Sequence, residues 1–153
     1  VYNIELWALG YLRSIDQNAK LRKSTMRSHV QIKRDMSFHD LPDFVADTIE
    51  RLRDEPKLWN PNIPDMIGAY FTDLRGILVD IRLALPKNGR VYIVVGDSRY
   101  YGQDILVAKG LAEMSSSLHF SVVDVEPFRS MRASPQQGGR RELAESLIIL
   151  SAV

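Results

Sequence analysis

The chain contains no cysteine. A disulfide-stapled scaffold and any thiolate metal site are therefore excluded, and the composition fits a reducing, cytoplasmic compartment. No uninterrupted run of about 18 apolar residues is present, so no membrane-spanning helix is expected. No basic leader followed by an apolar stretch opens the chain, so no secretion signal is expected either. Net charge is nearly absent: 20 lysines and arginines against 19 acids leave +1. A whole-domain electrostatic case for nucleic acid fails on that figure, and only local clustering can make one. His29, His39 and His119 share no ligand spacing, and no HExxH pattern exists, so no metal site is expected. The first residue is Val1, not methionine, which fits a piece of something longer.

What is there suits one packed domain over 1–153, with 45% hydrophobic and 25% charged residues. Residues 2–13 read as a helix with Ile4, Trp7, Ala8 and Tyr11 on one stripe. Residues 14–40 are polar and weakly periodic, and are read as an irregular basic excursion with a short strand at 29–32. An amphipathic helix is expected over 41–54, capped by Asp40, and a proline-rich loop over 55–64. The clearest helix is 65–85, where Met66, Ile67, Tyr70, Phe71, Leu74, Ile77, Leu78, Ile81 and Leu85 make one wide apolar face before Pro86-Lys87-Asn88-Gly89 stops it. A strand at 90–96, a helix at 104–117 capped by Asp104, and strands at 120–126 and 143–150 follow, with a long loop at 127–142.

The most informative stretch runs from Arg90 to Asp104. Val91 to Val95 are apolar and mostly β-branched, as in a strand buried on both faces, and they run into Gly96-Asp97-Ser98. In an open α/β sheet, ligands bind at the carboxyl end of such a strand. The order of elements implies an α/β fold with helices on both faces. The strands at 90–96 and 120–126, joined by a helix, are expected to be parallel neighbours, with the last strand antiparallel. So apolar a strand is a poor edge, and 90–96 is expected to pair on its open side with a strand that this chain lacks.

Three stretches resemble one family. Tyr70-Phe71-Thr72-Asp73-Leu74 through Leu85-Pro86-Lys87-Asn88-Gly89-Arg90 to Ser98 is similar to the fourth helix and fifth strand of class I, S-adenosylmethionine-dependent DNA amino-methyltransferases. Asp104 to Glu126 is similar to their fifth helix and sixth strand, and Glu142 to Leu150 to their final antiparallel strand. The likeness covers about residues 65–150 and implies the C-terminal part of a partial Rossmann-like methyltransferase sheet. The family methylates the exocyclic amino group of adenine or cytosine. Its catalytic Asp/Asn/Ser-Pro-Pro-aromatic motif and its Phe-x-Gly-x-Gly cofactor motif are both missing, Asn60-Pro61-Asn62 being the nearest approach to the first. In the resembling architecture both would lie before Val1. S-adenosylmethionine is thus expected in the complete enzyme but not bound tightly by this chain, which alone should be inactive. The expected partners are DNA, and either a missing N-terminal half or a second copy completing the sheet.

The resemblance makes Gly96, Asp97, Ser98 and Tyr100 the rim of a pocket for a flipped base. An ordinary strand-to-helix turn with local caps explains the same residues, and position alone does not separate the two. Lys20, Arg22, Lys23, Arg27, His29, Lys33 and Arg34 crowd one short stretch with few acids among them, which favours contact with DNA over a merely solvated loop. Arg22, Lys23, Arg27 and His29 are the expected contacts there. Arg129, Arg132, Gln136 and Gln137 offer more in the loop before the last strand, which reads equally as a lid over DNA or as a disordered connection. The alternative function is a non-catalytic nucleic-acid-binding or assembly module that kept the fold.

Overall fold

The computed structural model describes residues 3–132 and 142–153. Helices α1 (Asn3–Ala8), α2 (Ile15–Ser24), α3 (Asp43–Arg53) and α4 (Ile63–Ala84) come first. Strand β1 (Arg90–Gly96), a small hairpin of β2 (Ser98–Tyr100) and β3 (Gln103–Ile105), and helix α5 (Val107–Ser117) follow. Strands β4 (Phe120–Arg132) and β5 (Glu142–Ala152) complete the order. Helix α4 begins with Pro64 in its first turn, where a missing N–H costs nothing. It ends at Leu85, which adopts an extended backbone (ψ 139°) because it precedes Pro86. The chain then turns through Asn88, at φ 62°, into β1.

The main sheet has the order β1-β5-β4, and β5 is antiparallel to both neighbours. Strands β1 and β4 consequently run in the same sense without touching. The expected pair of adjacent parallel strands is corrected on this point. The last strand slides between them, because β5 carries the apolar run Leu147-Ile148-Ile149-Leu150 and buries it best at the centre.

Ile148, Leu150 and Ala152 of β5 pack with Val91, Ile93 and Val95 of β1 against a layer made by α3, α4 and α5. These helices cover one face of the sheet, not two. On the other face Tyr92 is 60% and Val94 55% exposed, beside Ile149 and Leu147 in register. The strand expected to be buried on both faces is therefore an edge strand with one bare apolar face. Among the described residues, its second edge has no neighbour. No described helix is long and apolar enough to cross a membrane.

Other boundaries differ from expectation for local reasons. The first helix stops at Ala8 because Gly10 turns left-handed at φ 73°. Asp40 also sits at positive φ and does not cap α3, whose N-cap position is Pro42. No strand forms at 29–32.

Helices α4 and α5 meet at Gly110. A Cβ there would lie 2.3 Å from Cε1 of Phe71, a ring fully enclosed in the core. Gly110→Ala is expected to destabilise the fold by about 1–3 kcal/mol, since the ring has nowhere to move. Urea unfolding checks this, and an unchanged midpoint would mean that the helices can part without cost.

Candidate functional site

The carboxyl end of β1 is held by one carboxylate. The Asp97 N–H donates to the carbonyl of Ala144 in β5 (2.8 Å). The Asp97 Oδ1 accepts the N–H of Val107 (2.8 Å), and the Ala108 N–H also donates to this carboxylate. Asp97 thus caps α5 across the intervening hairpin, the role expected of Asp104. Asp104 instead lies in β3, opposite Arg99 in register, and the two form an ion pair that is buried on the arginine side. For Asp97 the capping explanation of the turn accounts for the side chain, which does not line the adjacent cavity.

Strands β2 and β3 are not legible as strands in the sequence. Their two-residue loop, Tyr101 (φ 45°) and Gly102 (φ 77°), has both residues left-handed, the mark of a type I′ turn that matches strand twist. The glycine at the second loop position is the available signal. The tyrosine at the first conceals it, because asparagine, aspartate or glycine usually stands there.

Beside the strand end lies a cavity of about 180 Å³. Its walls include Gly96, Ser98 and Tyr100, all expected at a pocket rim. Met66, Ile67 and Tyr70 of α4 and Ser28 of the basic stretch also line it. Burial pushes the Tyr70 and Tyr100 phenols above their ordinary range, and their proximity raises Tyr70 further. Both phenols are therefore neutral hydrogen-bonding groups near neutral pH. Apolar walls with two phenols and two serine hydroxyls suit a small planar ring with a polar edge.

The basic stretch is largely ordered. Ser14 caps α2 through the Gln17 N–H (3.2 Å), and the Gln17 side chain accepts the Arg13 N–H (2.7 Å). This Ser-x-x-Gln capping pattern is a readable start signal. It is easily passed over because α2 has no buried residue and so no apolar period. Lys20, Arg22, Lys23, His29 and Lys33 are exposed. Arg27 and Arg34 face inward. The Arg34 guanidinium donates to the carbonyls of Thr25 (2.6 Å) and Met26. The Arg27 guanidinium meets Asp73 of α4 (2.7 Å). Ser28 Oγ is hydrogen-bonded to His29 Nδ1 (2.8 Å), so the stretch reaches the cavity through Ser28.

The expected loop at 127–142 begins as strand. Arg129 sits in β4 with its exposed guanidinium 3.5 Å from Glu145, and the backbone of Arg132 also belongs to β4. Gln136 and Gln137 lie outside the described residues. Among the described residues no group of histidines and acids could hold a metal.

The chain is 29% identical over 131 residues to the Type II methyltransferase M.AvaI of Nostoc sp. (strain PCC 7120 / SAG 25.82 / UTEX 2576). It is similar to the M.AvaI of Anabaena variabilis to the same extent, 29% over 131 residues. The matched part is 83% of this chain but 27% of either relative, so the chain spans about a quarter of their length. The likeness supports a distant methyltransferase relationship. No family model matches the chain, and no solved structure matches it.

Burial, partly offset by the Ala108 and Val107 N–H groups, lifts the Asp97 carboxyl above its ordinary 3.8. The native state therefore keeps a proton that the unfolded chain has already released. The stabilising contribution is complete below pH 3.8 and is lost as pH rises through the raised value. Asp97→Asn retains an acceptor for Val107 without the ionisation. Its melting temperature should rise relative to the native chain across that window and then run parallel. A pH-independent difference between the two curves would show that Asp97 carries no such linkage.

Proposed function

We propose that this chain is the C-terminal portion of an S-adenosylmethionine-dependent DNA methyltransferase that modifies the exocyclic amino group of adenine or cytosine. The observation that carries this reading is the meeting of a strand-end cavity with a basic segment at Ser28, in a chain similar to a type II methyltransferase. Gly96, Ser98 and Tyr100 form the rim that receives a base extruded from the duplex, with Asp97 fixing the turn beneath them. Arg22, Lys23 and His29 contact the duplex beside the cavity, and Arg129, Arg132, Gln136 and Gln137 contact it from the β4–β5 end. What these residues contribute is placement of the target ring.

The cavity at the strand end does not suit the cofactor. The cavity of about 180 Å³ falls below the roughly 300–1,000 Å³ of small-molecule sites. The strand-end carboxylate is already engaged by the amides of α5. Cofactor binding and the catalytic motif belong, in this reading, to polypeptide that completes the sheet. The bare face around Tyr92 and Val94 and the unpaired edge of β1 are where it joins.

Two measurements test the proposal. In the complete enzyme, Arg22→Ala with Lys23→Ala should make the slope of log K against log salt shallower by about 2, near 0.9 for each phosphate that is no longer neutralised. An unchanged slope removes the DNA-binding role of this pair. Val94→Lys should cost the 153-residue chain under about 0.5 kcal/mol, because the position is exposed. In the complete enzyme the same change should cost about 3 kcal/mol or more, because an unpaired charge would be buried there. Equal small costs in both would mean that nothing covers this face.

A further inference from the structure

Arg27 differs from its cationic neighbours. Its backbone N–H donates to Asp73 Oδ2 (2.7 Å), while its Nε (3.0 Å) and Nη2 (2.7 Å) both donate to Asp73 Oδ1. Its remaining Nη1 donates to the carbonyl of Ser37 (2.8 Å). One carboxylate on α4 thus fixes both the main chain and the side chain of a residue 46 positions earlier. The Arg27 side chain keeps only 18% and the Asp73 side chain 26% of its surface exposed, so neither is free to turn to an external phosphate without breaking this set.

The position of the pair matters more than its strength. Asp73 stands one turn beyond Tyr70 on the same face of α4, and Tyr70 lines the cavity. Arg27 directly precedes Ser28, which also lines the cavity and is hydrogen-bonded to His29. The placement of Ser28 relative to Tyr70 is therefore set through the Arg27–Asp73 pair. The same pair holds the segment that follows the exposed Arg22 and Lys23.

We propose that Arg27 is a positioning residue, a latch that closes the 25–39 segment onto α4, and not a ligand of DNA. Only the DNA arm of this proposal rests on the function proposed above. Arginine is needed because its planar fork matches the carboxylate at two nitrogens, which a lysine ammonium cannot do. A phosphate ligand, in contrast, can be a point charge.

The test compares Arg27→Gln, Arg27→Lys and Asp73→Asn with the native protein by amide hydrogen exchange and by binding to a 30-base-pair duplex over a salt series. The latch predicts exchange faster by about tenfold or more at residues 26–38 in all three variants, with α3 and α5 keeping their protection. It also predicts weaker duplex binding with an unchanged salt slope, and no rescue by lysine. Two outcomes overturn it. One is a slope shallower by about 0.9 in Arg27→Gln, restored in Arg27→Lys and untouched in Asp73→Asn, which is the behaviour of a phosphate ligand. The other is native exchange over 26–38 in every variant. Failure of the native protein to bind any duplex would remove the proposed function, while the exchange measurement would still decide on the latch.

Discussion

Every strand of the main sheet depends on β5. It is hydrogen-bonded along both edges, to β1 from Arg90↔Ser151 to Gly96↔Glu145 and to β4 from Phe120↔Ala152 to Arg132↔Glu142. Strands β1 and β4 do not meet, so without β5 they would have no main-chain partner among the described residues. Burial follows the same logic. Ile148 and Leu150 are fully enclosed between the helical layer and the flanking strands, and Asn88 and Gly89 exchange hydrogen bonds with Ala152 to bring β1 into register. The last strand in sequence is thus the first requirement of the fold, and folding must bring distant segments together before β1 gains a neighbour.

On this frame two carboxylates do most of the local positioning. Asp97 ties the end of β1 to the first turn of α5, and Asp73 ties the basic segment to α4. Each accepts at least one backbone N–H, so each fixes main chain. The hairpin β2–β3 follows Asp97, is held by Arg99 and Asp104, and presents Ser98 and Tyr100 to the cavity. The cavity is small because three separately fastened pieces converge on it. A change at any one fastening alters its shape without touching its lining.

Much of this is legible in the residues and some is not, for identifiable reasons. The bounds of β1 and the body of α4 can be read because periodicity and punctuation agree there: a five-residue apolar run closed by glycine, and a long apolar stripe closed by Pro86. The exposure of Tyr92 and Val94 cannot be read, because an apolar outward face looks the same in sequence whether or not anything covers it. Strand order escapes for a related reason. Which strand takes the centre depends on competing burial, and the run from Leu147 to Leu150 prevails over that from Val91 to Val95. Gly96, Ser98 and Tyr100, expected from their place at a strand end, lie against the cavity. Ser28 reads only as a spacer between cations, and Arg27 and Asp73, remote in sequence, give no sign that they are partners.

The charge balance explains how a nearly neutral chain can carry a local electrostatic site. A net charge of +1 governs the distant field, but screening confines interactions to about 8–10 Å at ordinary salt, so the count that matters is local. In the basic segment the exposed cations are Lys20, Arg22, Lys23 and Lys33, while Arg27 and Arg34 are turned inward. The inward pair still serves the field. By holding carbonyls and a carboxylate, these two arginines order the segment on which the outward cations stand, and ordered cations present charge to a phosphate backbone at a smaller entropic cost than a floppy loop would. Acids such as Asp124 and Glu126 instead alternate onto the other face of the sheet, in register with Ile149 and Leu147. A near-zero sum is therefore compatible with a basic segment, because residues 20–34 hold six lysines and arginines and no acid.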